Sequence, residues 1–465
     1  MQLPGSFLPL LATITLALLC VDARPVRRSN NLITLPIRKL QRDSNLHVEL
    51  RHQQHMNRAE RLVARAAGLP GPSDAQLRVN LERRASFLTP SEKRFNRPSS
   101  DYLLPSEDSD SGASSLAVEN DDTSSNTPPV LAQNSSDVQP EGNDASYVAT
   151  VQLGTPPRDF IIILDSGSGD FWVESDVCVL DTDNSQGCGN HSFLSEASSS
   201  SFVNTHKDWS ITYGSGAAAG ELVTDTLVLG GMVLGNHTFG VAHNVSDSFA
   251  SDPLADGLMG LGRGALSNQN TPTPVQALVD AHFITEAITS YRLPRIHDNV
   301  DVGEVTFGGL DDTKFDPTTL VTVNGTDNGF YIPVLDGITV NGASVALQGT
   351  HAIMDTGTSL LIAPNQDAAA IHAKIPGAKL QNSGQYSVPC NTTASVALKF
   401  GGKEFAINPK DLVFASGGRT TGQCTSGIGA FTDDTSRFLV GDTFLKAVYF
   451  STNDGENTIT LAKAI

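Results

Sequence analysis

The chain has 465 residues and carries 31 Lys and Arg against 50 Asp and Glu, a formal net charge of −19. The two signs are separated: residues 24–98 hold sixteen basic and six acidic residues, whereas residues 99–465 hold fifteen basic and forty-three acidic ones. A basic stretch is often a nucleic-acid site, but here the acidic remainder of the same chain would bind it first, so we expect no nucleic-acid partner.

The chain begins with an apolar run of the length found in secretory signal peptides. Phe7 to Cys20 is apolar and small residues follow up to Ala23, so we predict a signal peptide at residues 1–23. The run is shorter than the ~20 residues that a bilayer span requires, and we expect no membrane anchor there or later. The predicted destination is extracellular, with the vacuole as the alternative.

Residues 24–98 are predicted to form a basic pro-segment. Because the rest of the chain is acidic, this segment is expected to bind it intramolecularly and inhibit it; the alternative is a solvated, partly helical tail. Protonation of carboxylates would weaken the attraction, which predicts release in acid. Residues 99–145 are rich in Ser, Asp, Asn, Glu and Pro, so we predict a disordered linker there.

From Tyr147 onward the sequence changes to short apolar or alternating runs broken by Gly, Asn, Asp and Pro, which indicates a mostly β fold. Helices are predicted at Thr273 to His282 and at Asn365 to Ile375. The remaining length exceeds what one hydrophobic core usually supports. We therefore expect two lobes, residues 146–325 and 326–465.

Four cysteines remain once the signal peptide is removed, in a chain bound for an oxidising compartment. Three pairings are possible, and we favour Cys178 with Cys188 and Cys390 with Cys424 because each closes a short loop within one half of the chain. Neither pair has zinc-finger spacing and the sequence has no His-Glu-x-x-His motif, so we predict no metal and no other cofactor.

Asn-x-Ser/Thr sequons are candidate glycosylation sites and fit an exported glycoprotein. Such matches are individually common, and they bear on export rather than on catalysis. The six sequons are at Asn134, Asn190, Asn236, Asn244, Asn324 and Asn391.

An internal repeat supports the two-lobe prediction. Each half contains an apolar run, an Asp-hydroxyl-Gly-hydroxyl tetrad and, later, an apolar-apolar-Gly triplet. The first half has Asp165-Ser166-Gly167-Ser168 and then Leu258-Met259-Gly260. The second half has Asp355-Thr356-Gly357-Thr358 and then Leu439-Val440-Gly441. Two lobes related by an approximate two-fold axis would bring the tetrads face to face.

A pair of facing carboxyl groups has a definite chemistry. Within hydrogen-bond distance they do not both ionise easily, so they share one proton over a range of acidic pH. The ionised member would take a proton from a water molecule that attacks a peptide carbonyl, while the protonated member would hydrogen-bond the carbonyl oxygen. Asp165 and Asp355 are therefore the candidate catalytic pair.

These tetrads resemble the paired active-site motifs of the pepsin family of aspartic proteases, especially its fungal secreted members. The resemblance covers roughly residues 146–465 and includes Leu153-Gly154-Thr155-Pro156-Pro157, Phe171-Trp172-Val173 and Phe307-Gly308-Gly309. It implies a bilobal β fold with the active-site cleft between the lobes. It also implies an acid endopeptidase made as a zymogen, with protein and peptide substrates, hydrophobic residues around the scissile bond and a monomeric state.

The resemblance also implies a mobile flap over bound peptide. Tyr213, followed by Gly214 and Ser215, corresponds to the tyrosine of a β-hairpin that closes over the cleft. Trp172 is expected to pack near this flap. The alternatives are an ordinary strand tyrosine and an ordinary core tryptophan.

The remaining tetrad residues receive supporting roles from the same resemblance. Ser166 and Thr356 correspond to hydroxyls that cross-link the two active-site loops. Ser168 and Thr358 correspond to hydroxyls that hydrogen-bond the outer carboxylate oxygens. Gly357 and Thr358 are also expected to contact bound peptide.

Other functions fit single features of the sequence. A glycosidase also uses two carboxyl groups, but in unlike surroundings. A serine hydrolase requires Gly-x-Ser-x-Gly, which Gly214-Ser215-Gly216 does not supply. A catalytically inactive peptide- or inhibitor-binding homologue is the alternative that we retain. Asp170, where Asn is frequent in the family, is expected to shift the pH optimum unless it faces solvent.

Overall fold

The computed structural model describes ten stretches of the chain. They are residues 32–40, 47–88, 146–181, 187–213, 216–250, 255–295, 302–326, 329–416, 422–431 and 436–465. The predicted signal peptide, the predicted linker, the sequon at Asn134 and the flap residues Gly214 and Ser215 lie outside these ranges. Within them, the helices are too short or too polar to cross a membrane.

The predicted pro-segment folds into one strand and two helices, which are β1 (Ile33–Leu40), α1 (Val48–Ala66) and α2 (Asp74–Ser86). Strand β1 alternates buried Ile33, Leu35 and Ile37 with exposed Thr34, Pro36 and Arg38, as expected for a strand with one face on a core. A capping box between Ser73 and Gln76 begins α2. The alternative of a solvated tail is therefore wrong for these residues.

The first half of residues 146–465 is built mainly of strands. They are β2 (Ser146–Leu153), β3 (Arg158–Asp165), β4 (Phe171–Leu180), β5 (Val203–Thr212), β6 (Ala217–Leu229), β7 (Met232–Val245), β8 (Gly257–Gly260), β9 (Ile288–Arg292), β10 (Val302–Phe307) and β11 (Phe315–Asn324). Its helices are α3 (Asp247–Ala250) and α4 (Pro274–Asp280), with a 3₁₀ turn at Gly264–Leu266.

The second half has shorter strands. They are β12 (Gly337–Val340), β13 (Ala343–Ser344), β14 (His351–Met354), β15 (Leu361–Ala363), β16 (Lys379–Leu380), β17 (Tyr386–Pro389), β18 (Val396–Phe400), β19 (Lys403–Ala406), β20 (Val413–Ser416), β21 (Gln423–Ser426), β22 (Ile428–Ala430), β23 (Arg437–Val440), β24 (Val448–Asn453) and β25 (Thr458–Ala464). Its helices are α5 (Asn365–His372) and α6 (Asp442–Leu445), with a 3₁₀ turn at Pro409–Leu412.

Both predicted helices exist but are shorter than the sequence pattern indicated. Helix α4 starts after Thr273, whose hydroxyl accepts a hydrogen bond from the amide of Gln276 at 3.2 Å. Helix α5 ends at His372, before the predicted Ile375. Thr273 and Pro364 precede the two helix starts, and turn hydrogen bonds continue past both helix ends as far as the predicted His282 and Ile375.

The strands form one large sheet and three small ones, so the prediction of a mostly β fold is confirmed. The large sheet has the order β11-β25-β24-β9-β10-β1-β2-β3-β8-β4-β7-β6-β5. The pro-segment strand β1 lies in its middle, antiparallel to β10 and β2. The last strands of the chain, β24 and β25, also belong to this sheet, which thus runs across the predicted lobe boundary.

The two halves position their tetrads in the same way. In the first half, β3 runs parallel to β8 with Leu164 opposite Met259. In the second half, β14 runs parallel to β23 with Met354 opposite Val440. The apolar-apolar-Gly triplets of the repeat therefore flank the strands that lead into the tetrads.

The described residues include both favoured disulfides. Cys178 and Cys188 are bonded with their Cα atoms 5.5 Å apart, and Cys390 and Cys424 with theirs 5.0 Å apart. Both distances are ordinary for disulfides. Each bond closes a loop within one half of the chain.

Five sequons fall on described residues, and glycosylation of each stays a prediction. Four have an exposed asparagine, and that of Asn244 is half-buried. The exposed ones are Asn190, Asn236, Asn324 and Asn391.

Candidate active site

The two tetrads meet at the ends of buried strands. The side chains of Asp165 and Asp355 are both buried. The amide of Ser166 donates to Oγ1 of Thr356 at 3.0 Å, and the amide of Thr356 donates to Oγ of Ser166 at 3.0 Å. These reciprocal hydrogen bonds join two turns that are 190 residues apart in the chain.

Each carboxyl group accepts the same two hydrogen bonds from its own tetrad. Asp165 accepts from the amide of Gly167 at 3.0 Å and from Oγ of Ser168 at 2.8 Å. Asp355 accepts from the amide of Gly357 at 2.9 Å and from Oγ1 of Thr358 at 2.5 Å. Thr358 thus plays the same part in the second tetrad as Ser168 in the first. These bonds hold both carboxyl groups in fixed orientations.

Each carboxyl group also lies against the glycine of the opposite tetrad. A Cβ atom added to Gly167 would lie 2.5 Å from Oδ1 of Asp355. A Cβ atom added to Gly357 would overlap Oδ1 of Asp165. Glycine is therefore required in both tetrads, because a side chain would push the two carboxyl groups apart.

An arginine from the predicted pro-segment lies next to both carboxyl groups. Nη2 of Arg58, on α1, is 3.0 Å from Oδ1 of Asp165 and 3.8 Å from Oδ2 of Asp355. One guanidinium nitrogen thus contacts both candidate catalytic residues. The carboxyl groups lie close enough to hydrogen-bond each other.

The pKa values of the two carboxyl groups move in opposite directions. Burial disfavours ionisation of Asp165, but the charge of Arg58 and hydrogen bonds from Asp355, Ser168 and Gly167 outweigh it, so its pKa is lowered. Burial raises the pKa of Asp355, and the negative charge of Asp165 adds to this effect against the opposing charge of Arg58. The pair therefore favours one ionised and one protonated member.

Tyr213 lies at the end of the hairpin formed by β5 and β6. Its hydroxyl accepts a hydrogen bond from Nε1 of Trp172 at 2.9 Å, and its ring packs edge-on against Phe249 with centroids 5.5 Å apart. Nη1 of Arg61, on α1, donates to the carbonyl oxygen of Tyr213 at 2.7 Å. The end of the hairpin is thus bound to α1.

Asp170 is fully buried rather than solvent-facing. Its carboxylate accepts hydrogen bonds from Oγ of Ser267 at 2.7 Å, from the amide of Gln269 at 3.0 Å and from the amide of Asn268 at 3.1 Å. Asp170 therefore fixes the loop after β8, and its negative charge is compensated locally by these donors. An effect on the pH optimum stays a prediction.

The sequence analysis missed the pro-segment residues that contact the site. Arg58, Arg61 and Arg65 are spaced for one face of α1, and Arg65 donates to the carbonyl oxygen of Leu266 at 2.6 Å. The spacing of these arginines can be read from the sequence, but net charge alone does not say which arginine contacts which carboxylate. The alternation of apolar residues in β1 can also be read, but the strands that pair with it, β2 and β10, are distant in sequence.

Comparisons with known proteins agree with this geometry. A family model described as eukaryotic aspartyl protease matches residues 146–464. Aspartic-type endopeptidase ctsD of Aspergillus fumigatus is 36% identical over 318 residues, 68% of this chain and 65% of that protein. Probable aspartic-type endopeptidase CTSD of Arthroderma benhamiae is 34% identical over 336 residues, 72% of this chain and 64% of that protein.

A shorter relative is covered more completely. Rhizopuspepsin of Rhizopus chinensis is 34% identical over 326 residues, 69% of this chain and 79% of that protein. The matched region thus spans just under two thirds of the first two relatives and a larger share of rhizopuspepsin. In all three comparisons, the matched length is close to that of residues 146–465, which begin at β2.

Proposed function

The chain belongs to the eukaryotic aspartyl protease family, and on this premise we propose that it is an acid endopeptidase with Asp165 and Asp355 as its catalytic pair. The observation that carries the proposal is the position of Arg58, whose single guanidinium nitrogen lies 3.0 Å from one carboxyl group and 3.8 Å from the other. A water molecule bound between the same oxygens in the mature enzyme would touch both.

The proposed reaction requires one proton on the pair. The ionised carboxylate takes a proton from the bound water as its oxygen attacks the peptide carbonyl carbon. The protonated carboxyl group gives its proton to the carbonyl oxygen, which yields a tetrahedral diol. As the C–N bond breaks, the carboxyl group that took the water proton gives it to the leaving nitrogen, and the other carboxylate takes a proton from the diol hydroxyl that becomes the new carbonyl oxygen. The raised pKa of Asp355 favours this residue as the protonated member at the start.

We further propose that the pro-segment is an intramolecular inhibitor. Arg58 occupies the position required for the attacking water, and Arg61 binds the end of the hairpin that is proposed to close over substrate. The strand β1 adds a continuous ladder to β10 and β2. The pro-segment thus blocks the catalytic pair and is anchored at a distance from it.

The proposed substrates are extended peptides with bulky hydrophobic residues around the scissile bond. An extended segment in a cleft between β lobes binds through main-chain hydrogen bonds, and pockets select its side chains. In the latent form the apolar face of α1 packs on apolar side chains of residues 146–465. Release of α1 would expose these side chains to substrate. These side chains include Leu266, Phe330, Ile332, Phe414 and Phe431.

Export as a monomeric glycoprotein, to the cell exterior or the vacuole, completes the proposal. It depends on the predicted signal peptide and the sequons. N-terminal sequencing of protein recovered from culture medium and from vacuoles would decide between the two destinations.

The test of the proposed activity is an inhibitor panel on acid-treated protein digesting a denatured peptide mixture. We expect cleavage in acid that is blocked by a pepstatin-type inhibitor and unaffected by chelators and serine reagents. Loss of activity with a chelator would contradict the mechanism. Tight pepstatin binding without any cleavage would favour the inactive peptide-binding alternative.

A further inference from the structure

A second contact between the pro-segment and the catalytic region contains buried polar side chains. Helices α1 and α2 meet there over the second half of the chain, and His52, Gln53 and Arg84 are all buried. Arg84 donates through Nη2 to Oε1 of Gln53 at 3.0 Å and through Nη1 to the carbonyl oxygen of Ser383 at 2.7 Å. The same Nη1 is 3.6 Å from Oε2 of Glu49.

His52 lies at the centre of this contact. The side-chain amide of Gln385 is oriented with its nitrogen toward Glu49. The nitrogen then donates to the two Glu49 carboxylate oxygens at 2.8 and 2.6 Å, and the amide oxygen accepts from Nδ1 of His52 at 2.6 Å. The imidazole also packs edge-on against Phe414 with ring centroids 6.0 Å apart. Its side chain is 3% exposed.

The charged groups around His52 oppose a positive charge on its ring. Arg84 faces it from α2 and His55 from the next turn of α1, and both disfavour protonation. Glu49 is reached through Gln385. Gln385 and Phe414, which face the ring from the catalytic region, are uncharged.

Several other contacts of the pro-segment do not respond to acid. Arg61, Arg65 and Arg84 each donate to a carbonyl oxygen of the catalytic region, at Tyr213, Leu266 and Ser383 respectively. A carbonyl oxygen has no proton to gain in the acid range. The ion pair of Arg58 with Asp165 also persists in mild acid, because the pKa of Asp165 is lowered in the latent form.

We propose that His52 is the acid sensor of the pro-segment, whose protonation destabilises the docked helices and thereby frees the catalytic pair. An imidazolium at this position would be a buried cation next to Arg84, without a carboxylate in direct contact among the groups described above. Such a charge is strongly destabilising. The inference rests on the proposed function, because it concerns how the proposed enzyme becomes active.

The direction of the pH effect follows from linkage. Burial first, and then Arg84 and His55, hold the pKa of His52 well below its usual value of 6.5 in the docked form. After release the ring is solvated and its pKa returns to about 6.5. Docking is therefore strongest above this pH and weakens below it, by up to about tenfold per pH unit until the docked pKa is reached.

The test compares the pH of half-maximal activation of the full-length zymogen and two variants, followed with a fluorogenic peptide. His52→Gln keeps a polar donor but has no titrating group, so we expect its midpoint to fall by ~1 pH unit. His55→Gln is the matched control: its ring also packs against Phe414, at 5.6 Å, but is only half-buried. We expect a shift of only a few tenths of a unit there.

A third variant should shift the pH of half-maximal activation in the opposite direction, upward. His52→Arg places a permanent cation at the same position, so we expect activity without acid treatment. Unchanged midpoints in both His52 variants would overturn the proposal, and so would an equal shift in His55→Gln. The mature enzyme lacks residue 52 in the proposed scheme, so equal kcat/KM of the matured variants shows that each precursor folded.

The same assay separates this inference from the proposed function. If matured wild-type protein cleaves no peptide at any pH, the endopeptidase proposal fails. If it cleaves peptide and pepstatin blocks the cleavage, but the pH of half-maximal activation is the same in wild type and the residue-52 variants, only the sensor proposal fails.

Discussion

The two tetrads have nearly the same residues and hydrogen bonds, yet their carboxyl groups differ in ionisation. Asp165 and Asp355 each accept from the amide two residues on and the hydroxyl three residues on. The pKa of Asp165 is nevertheless lowered, and burial together with the charge of Asp165 raises that of Asp355. The direction of each pKa shift thus depends on the surroundings of the carboxyl group and not on the motif alone.

Arg58, on α1, contributes to this difference. Its nitrogen is 3.0 Å from Asp165 and 3.8 Å from Asp355. Because a closer cation stabilises an ionised carboxylate more, Arg58 favours ionisation of Asp165 over ionisation of Asp355. Changes that remove one carboxyl group, the arginine or the cross-link between the tetrads test separate parts of the comparison.

Loss of either carboxyl group is expected to have the largest effect. Asp165→Asn and Asp355→Asn each replace one carboxyl group of the pair with an amide, which cannot exchange a proton. We therefore expect kcat to fall by at least about 10³-fold in both variants. Matured protein and a fluorogenic peptide are suitable for the measurement. Near-normal turnover in either variant would remove that residue from the mechanism. Asp256→Asn, outside the tetrads, is the control for carboxylate loss in general.

Replacement of Arg58 should mainly affect latency. Arg58→Ala leaves two buried carboxyl groups without their cation, so the pro-segment should dock more weakly and activation at a given acidic pH should be ~10 to 100-fold faster. The rate of appearance of activity after a pH jump measures this. Arg58→Lys keeps the charge and should retain most of the latency. Equal activation rates for wild type and Arg58→Ala would show that blocking does not depend on this contact.

The cross-link between the tetrads should affect stability more than chemistry. Ser166→Ala and Thr356→Ala each remove the acceptor of a buried amide of the other tetrad, which costs about 1–3 kcal/mol. We expect Tm of the matured enzyme to fall by roughly 2–10 °C in each case. Ser166→Thr is the control, because it keeps the hydroxyl and makes the first tetrad match the second. If Ser166→Ala melts like wild type, the reciprocal hydrogen bonds do not hold the lobes together.

The smallest predicted effect concerns Tyr213, which lies only on the side of the first tetrad. Tyr213→Phe keeps the ring against Phe249 but removes the acceptor for Nε1 of Trp172. Loss of one hydrogen bond predicts a decrease in kcat/KM of about 2 to 10-fold, with little change in Tm. A larger loss would mean that the hydroxyl contacts substrate directly.

Much of the site was predictable because its pattern is local and repeated. Each tetrad follows an apolar strand, and the later triplets Leu258-Met259-Gly260 and Leu439-Val440-Gly441 flank those strands. The disulfide pairs followed from loop length. These features require only that similar residues in the two halves fold in the same way.

The contacts of the pro-segment were less predictable because their partners are distant in sequence. Arg58 meets Asp165 across 107 residues, and Arg84 meets Ser383 across 299. Asp170 shows a different difficulty: the sequence left open whether it faces solvent, whereas it is buried and accepts hydrogen bonds from three donors of residues 267–269. Composition does not reveal which donors will surround a buried carboxylate.

The pH dependence of kcat/KM for the matured enzyme tests the shared proton most directly. With Arg58 gone, burial and mutual repulsion still favour one proton on the pair. The account predicts a bell-shaped profile in the acid range, rising as the first carboxyl group ionises and falling as the second loses its proton. A profile governed by one ionisation, with full activity retained when both groups are ionised, would contradict it.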